Sequence, residues 1–262
     1  MNLTSSSIFA PMLNLFPRKG TAGNKLDIIT WNVYVGHKPS DVKTALTDMA
    51  KEYNPHIFAL QEATNLGANR IRRTKGRPRT EWGNGRQDPN RAIHLPGYRT
   101  YHLPKDHPKG LYGEAADTAL LIRNDVIIHG HQYNKMKEKW KGPDHGFIHE
   151  PRVYQTIWVS SAITGEVWKI GAGHWPFGSA LQETINYVHD WFAKTIKGRP
   201  TVWVGDLNAM PHDFKSITDL SDVKVVGHRI DQAITRNVKM ATAKDIGAHG
   251  SDHDAVLIHL EA

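Results

Sequence analysis

The sequence predicts a mixed α/β (α+β) fold in a single domain. Three observations carry that expectation. Short apolar segments with β-branched residues recur along the chain, two segments carry an apolar stripe at helical spacing, and no linker or shift in composition divides the 262 residues. A chain of this length can organise one large core.

The elements follow in order. Leu26–Val33 alternates with β-branched residues and predicts a strand. Ser40 and Asp41 offer an N-cap and a first-turn acid for a helix through Tyr53, with Ala45, Leu46, Met49 and Ala50 on one face. Asn54-Pro55 stops it, and the apolar run Ile57–Leu60 predicts a buried strand. Asn65–Arg91 breaks the pattern. It holds Arg70, Arg72, Arg73, Lys75, Arg77, Arg79, Arg86 and Arg91 against only Glu81 and Asp88, with scattered Gly and Pro, and it predicts a long basic loop. Further strands are expected at Thr118–Arg123, Tyr154–Ser160, Glu166–Ala172, Thr201–Val204, Arg229–Ala233 and Ala255–Leu260. A second helix is expected over Ser179–Lys197, with Leu181, Ile185, Val188 and Phe192 as its stripe and Gly198 as its stop.

Composition removes several chemistries. The chain has no cysteine, so disulfides, thiolate zinc sites, iron–sulfur clusters and a thiol nucleophile are excluded. No apolar run reaches the roughly 18 residues that a membrane helix needs. The apolar stretch Ile8–Leu15 is followed, not preceded, by Arg18 and Lys19, the reverse of a signal peptide. The expectation is a flexible arm over residues 1–24, a domain over 25–262, a cytoplasmic location and a monomer. The formal charge of +7 favours polyanionic partners.

Several polar residues stand at the ends of the predicted strands: Asn32, Glu62, His174, Asp206, Asn208, Asp252 and His253. A rigid strand holds such a side chain while the rim stays open to a substrate. Carboxylates and amides are hard oxygen ligands, suited to Mg²⁺, Mn²⁺ or Ca²⁺. Histidines beside them suit proton transfer. Phosphoryl transfer uses both kinds of group.

Six short motifs occur in order: Trp31-Asn32, Leu60-Gln61-Glu62, Gly173-His174, Gly205-Asp206-Leu207-Asn208, Ile230-Asp231 and Ser251-Asp252-His253. Together they resemble the endonuclease/exonuclease/phosphatase superfamily, from about Lys25 to the C-terminus. The resemblance implies a four-layer αββα sandwich, two packed mixed β-sheets with helices outside, as in deoxyribonuclease I. It implies a Mg²⁺-dependent site, with Mn²⁺ as the other candidate ion. In that frame Glu62, Asn32 and Asp252 are the metal residues. Asp206 activates water, and Asn208 contacts the phosphate. His253 is the essential histidine, oriented by Asp231, and His174 is the candidate acid for the leaving oxygen. Local readings stand beside these: an Asx turn for Asp206-Leu207-Asn208, and packing for Trp175.

Two departures from the superfamily pattern matter. Tyr34 stands where several nucleases carry an acid, which puts a second metal position in question. The acid that would orient His174 is not evident, with Asp117 the first candidate and Glu114 the next. Arg152 stands about where relatives place a phosphate-contacting arginine. The basic loop, with Arg70, Arg72 and Arg73, favours DNA as the substrate, by cationic contact with the phosphate backbone. A small or lipid phosphate ester is the alternative, and an inactive DNA-binding module is a third reading.

Overall fold

Neighbouring residues along a strand point to opposite faces of its sheet, so a strand covered on both sides is apolar nearly throughout. The computed structural model describes residues 24–33, 39–63, 95–102, 118–135, 140–141, 148–149, 153–161, 165–176 and 179–262. Residues 1–23 of the expected arm, the basic segment Asn65–Arg91 and residues Tyr34, Glu114, Asp117 and Arg152 lie outside the described residues.

The strands are β1 (Lys25–Asn32), β2 (Ile57–Gln61), β3 (Tyr98–His102), β4 (Ala119–Arg123), β5 (Ile127–Lys135), β6 (Trp140–Lys141) and β7 (Ile148–His149). They continue as β8 (Val153–Ser160), β9 (Trp168–Gly173), β10 (Thr201–Asp206), β11 (Val223–His228), β12 (Asp231–Arg236), β13 (Met240–Asp245) and β14 (Val256–Glu261). The α-helices are α1 (Pro39–Tyr53), α2 (Ser179–Ala193) and the single turn α3 (Lys215–Thr218). One six-stranded sheet runs β13-β14-β1-β2-β4-β3, the other β11-β12-β10-β9-β8-β5, and β6 pairs only with β7. Each large sheet is mixed. The pairs β1–β2 and β9–β10 are parallel, and the other pairings are antiparallel.

Three apolar clusters stack these elements into four layers. Leu26, Ile28, Ile57, Ile170, Val202, Val204 and Ile258 meet between the sheets. The opposite parity, Ile29, Trp31, Phe58 and Leu60, packs under Val42, Leu46 and Met49 of α1. On the far side Trp203 and Ile234 pack under Ile185, Val188 and Phe192 of α2, Ile217 of α3 and Phe214 just before it. This is the αββα sandwich expected from the motifs. A helix of 15 residues is marginal by itself in water. Burial of three or four large side chains, at about 1.5–3 kcal/mol each, is what holds α1 and α2 in place.

Several boundaries differ from the sequence expectation, and three have a clear local cause. The first helix begins at Pro39, so Ser40 sits inside its first turn and Pro39 starts the helix without needing an amide donor. The second ends at Ala193 rather than Lys197. There the Trp191 carbonyl accepts from Thr195 Oγ1 and Lys169 Nζ, and Gly198 (φ +79°) closes a separate turn. The strand expected at Arg229–Ala233 starts at Asp231, because Arg229 is left-handed (φ +51°) and belongs to the turn from β11.

One glycine is fixed by close approach. Gly205, at φ +152°, packs so tightly on β9 that a Cβ would lie 1.9 Å from the Gly173 carbonyl oxygen. Gly205→Ala therefore combines backbone strain with a clash against a parallel neighbour. It should lower the unfolding free energy by more than about 3 kcal/mol or abolish folding. Gly198→Ala, left-handed but in open space, should cost only about 1 kcal/mol. Urea unfolding of both variants checks the contrast, and equal effects would contradict it.

Candidate active site

The parallel pairs β1–β2 and β9–β10 run in one direction within each sheet, so each delivers two chain ends to one rim. Asn32 ends β1, and Glu62 follows β2 in a left-handed conformation (φ +54°) that turns the chain at the rim. His174 follows β9, and Asp206 ends β10. The two rims meet at Asp206, which is 1% exposed.

Three groups converge on one oxygen of Asp206. Asn32 Nδ2 donates to Oδ2 at 3.0 Å, from the other sheet. His174 Nε2 lies 3.3 Å from the same atom, and His253 Nε2 lies 3.8 Å from it. A carboxylate only accepts, so the His174 contact suits a proton on Nε2. The second oxygen, Oδ1, accepts from the Asn208 backbone amide at 3.0 Å. The Asx turn is therefore formed, and it orients the carboxylate. Asn208, left-handed at φ +46°, donates its side-chain amide to the Trp175 carbonyl at 2.7 Å. Trp175 is fully buried against Trp203 and Phe214, and its backbone N–H donates to the Asp206 carbonyl. Packing and site support thus coincide in this residue.

His253 bridges the sheets from the other side. It lies in the loop that leads into β14, and its Nδ1 is 2.8 Å from Oδ2 of Asp231 at the start of β12. That hydrogen bond, with the charges of Asp231, Asp206 and Asp252, outweighs partial burial and raises the His253 pKa to about 9. Burial pushes the Asp231 carboxyl above its usual range, and the His253 hydrogen bond opposes it. The carboxylate–imidazolium pair holds its proton on the histidine. Ser251 ties the loop down: its Oγ donates to the Asn32 carbonyl at 2.6 Å and accepts from the His253 amide at 3.2 Å.

Asn32, Glu62, His174, Asp206, Asn208, Asp231 and His253 thus come together. Asp252 is exposed, with a carboxylate oxygen 3.4 Å from Ser251 Oγ. Arg70, Arg72, Arg73 and Arg152 lie outside the described residues, as do Asp117 and Glu114, the acids expected beside His174. The acid that the described residues place against His174 is Asp206 itself. Two supporting residues carry no role in the sequence reading. Ser251 is one. The other is Gln61, buried between the sheets, whose amide donates to the Ala59 carbonyl and Thr30 Oγ1 at the floor of the site. Their motif positions were the available signal.

The donor set suits a divalent cation. Glu62 Oε1 and Asp206 Oδ2, hard oxygen ligands from opposite sheets, both accept from Asn32 Nδ2, at 3.3 and 3.0 Å. Ligand atoms of Asp206, Asp231 and His253 also lie within 4.8 Å of one another.

A buried carboxylate with two histidines and a nearby acid–amide pair is a group set that phosphoester hydrolysis can use. The family model described as "Endonuclease/Exonuclease/phosphatase family" matches residues 29–253, and the chain belongs to that family. Its members are divalent-metal-dependent phosphoester hydrolases. Among solved structures, a family protein of Bacteroides thetaiotaomicron is 15% identical with TM-score 0.64, over 91% of this chain and 98% of that one. The mannosyl-6-phosphatase of the same organism is 15% identical with TM-score 0.62, over 90% and 100%. TDP2 of D. rerio, complexed with a single-strand DNA product, is 13% identical with TM-score 0.58, over 91% and 99%. At these identities the likeness is one of fold. No curated protein matches the sequence.

The raised His253 pKa has a consequence for stability. A histidine raised above its unfolded value near 6.5 contributes stability that is fully present below that pH and lost as pH rises through about 9. The urea midpoint should therefore fall between pH of about 6 and about 10 more steeply than in His253→Gln. Parallel curves for the two proteins would show that the pair does not hold its proton.

Proposed function

We propose that the chain is a metal-dependent phosphodiesterase that hydrolyses DNA. The convergence of Asn32, His174 and His253 on Asp206 carries the hydrolytic reading. Asp206 positions an attacking water and accepts its proton. The water oxygen bonds to phosphorus in line with the P–O bond that breaks. His253, protonated at neutral pH, stabilises the negative charge that develops on a non-bridging oxygen. Asn208 assists with its second amide hydrogen. His174 gives its Nε2 proton to the leaving oxygen, so donor and acceptor of the net proton transfer sit on either side of one carboxylate. Glu62 and Asn32, with Asp252 at the open side, would hold Mg²⁺, with Mn²⁺ as the other candidate. Such an ion polarises the phosphoryl oxygens.

Three features support DNA as substrate. The chain carries a formal charge of +7, and Asn65–Arg91, which begins three residues after Glu62, is dense in arginine. TDP2, which shares the fold, is known with a single-strand DNA product. A second reading, hydrolysis of a small phosphate monoester, is favoured by the likeness to the mannosyl-6-phosphatase. We place the protein as a monomer in the cytoplasm. Among the described residues no helix is long and apolar enough to cross a membrane.

The first experiment is nicking of supercoiled plasmid in Mg²⁺, Mn²⁺ and EDTA. Nicking should require metal, and His253→Ala and Asp206→Asn should each lower kcat by about two orders of magnitude or more. Activity close to wild type in either variant contradicts the assigned roles. Phosphate release from sugar phosphates without nicking would move the function to the second reading.

Arg70→Ala, Arg72→Ala and Arg73→Ala combined should weaken DNA binding. The slope of log K against log salt should become shallower by about one unit per lost phosphate contact. An unchanged slope removes these arginines from the interface.

A further inference from the structure

A second cluster of metal-ligating side chains lies beside the catalytic one, toward the sheet edges: His228 is in register with Asp231 on the neighbouring strand, and Asp254 follows His253 in the chain. His228 ends β11, in one sheet. Asp245 ends β13, in the other sheet, and Asp254 lies in the loop that leads into β14. β11 and β13 are the edge strands of their sheets and pack against each other, so the cluster straddles the seam. His228 Nε2 is 3.5 Å from Asp254 Oδ2 and 3.8 Å from Asp245 Oδ2, and all three ligand atoms lie within 4.8 Å of one another.

The spacing is not that of a hydrogen-bonded ion pair. A charged N–H···O bond spans about 2.7–2.9 Å, as His259 does with Asp27 at 2.7 Å and His253 with Asp231 at 2.8 Å. Here both carboxylates face one ring nitrogen, which carries a single hydrogen, and neither is within bonding distance. Ligands about 2.0–2.1 Å from a tetrahedral Zn²⁺ stand about 3.4 Å from one another. The two separations from His228 need only a few tenths of an ångström of contraction, which these partly exposed side chains can supply. The remaining oxygen of Asp245 accepts from the Gly247 amide at 2.8 Å, which turns Oδ2 toward His228. A hydrogen-bonded ligand carboxylate is the usual arrangement around a bound metal.

We propose that His228, Asp245 and Asp254 form a Zn²⁺ site, separate from the catalytic one, that clamps the two sheets together. One imidazole and two carboxylates leave a fourth position for water. The imidazole selects Zn²⁺ over Mg²⁺, which prefers oxygen ligands. The clamp would act on the site next to it, because Asp254 adjoins His253 and shares a loop with Ser251.

The test titrates Zn²⁺ into the full chain while the ring nitrogens of His228 are followed by ¹⁵N NMR. Wild type and Asp206→Asn should both show the Nε2 resonance of His228 move to its metal-bound position, and Mg²⁺ should leave it in place. In His228→Ala and in Asp254→Asn, the number of tightly held Zn²⁺ ions should fall by one per chain. The rise in Tm on adding Zn²⁺ at about 100 times its Kd, roughly 5 °C or more, should shrink with it. A His228 resonance unmoved at saturating Zn²⁺, or an unchanged count and Tm response in both variants, overturns the proposal. Loss of the His228 response in Asp206→Asn also overturns it, since the ion would then belong to the catalytic site. None of these readouts depends on catalysis, so they stand whether or not the chain cleaves DNA.

Discussion

A carboxylate taken out of water at the end of a buried strand is costly unless donors surround it. Asp206 is such a group, and its partners come from two segments distant in sequence and from its own following turn. Asn32 reaches it across the gap between the sheets, His174 from the neighbouring parallel strand, and Asn208 through the turn that follows. The Asn32–Asp206 bond joins residues 174 positions apart and forms only when the sandwich is closed in register. Satisfying one buried charge therefore specifies how the sheets sit on each other. The site is a product of that packing rather than an addition to a finished scaffold.

The direction of the strands explains why the functional groups share one rim. In each sheet a parallel pair sits near the centre, and parallel strands deliver their C-terminal ends to the same side. Sheets that carry parallel strands commonly bind ligands at those ends, where the chain leaves the core and its side chains turn toward solvent. Close approach of the backbones is a condition for this. Gly171 lies under the ring of Trp203, and Gly205 sits against Gly173, so β9 and β10 can bring His174 and Asp206 within contact. A larger residue at either glycine would separate the two groups before it disturbed their chemistry.

The legibility of the fold in the sequence divides along physical lines. The strands expected from the pattern, β1, β2, β4, β8, β9, β10, β12 and β14, are all interior strands, covered on both faces and rich in apolar residues. The four missed from the large sheets, β3, β5, β11 and β13, are the four edges. Segments such as Tyr98–His102 and Met240–Asp245 are half-exposed and carry Arg, His, Lys and Asp, which protect an edge from further pairing but erase the apolar signal. The site residues were legible as types at strand ends, and the family motifs supplied their order. Of their pairings only His253 with Asp231, 2.8 Å apart, was among the expectations, and it came from the resemblance. The contact between His174 and Asp206 crosses parallel strands, and no local spacing encodes it.

The loop between β13 and β14 shows how the two sheets share control of one histidine. Its base is closed by bonds between Ile246 and Ala255 and between Gly247 and Ala255. Its tip is fixed by Ser251 to the Asn32 carbonyl, so the backbone of His253 belongs to the sheet that holds Asn32. Its imidazole is held by Asp231, and Asp231 lies in register with Asp206 on the neighbouring strand of the opposite sheet. Moving one sheet against the other would shift the ring of His253 relative to Asp206 while leaving each half of the site intact. The separation of 3.8 Å between Nε2 and the Asp206 oxygen is then a measure of sheet packing as well as of the site. It is too long for a direct hydrogen bond and leaves room for a substrate oxygen to engage both groups. The sandwich core sets that gap.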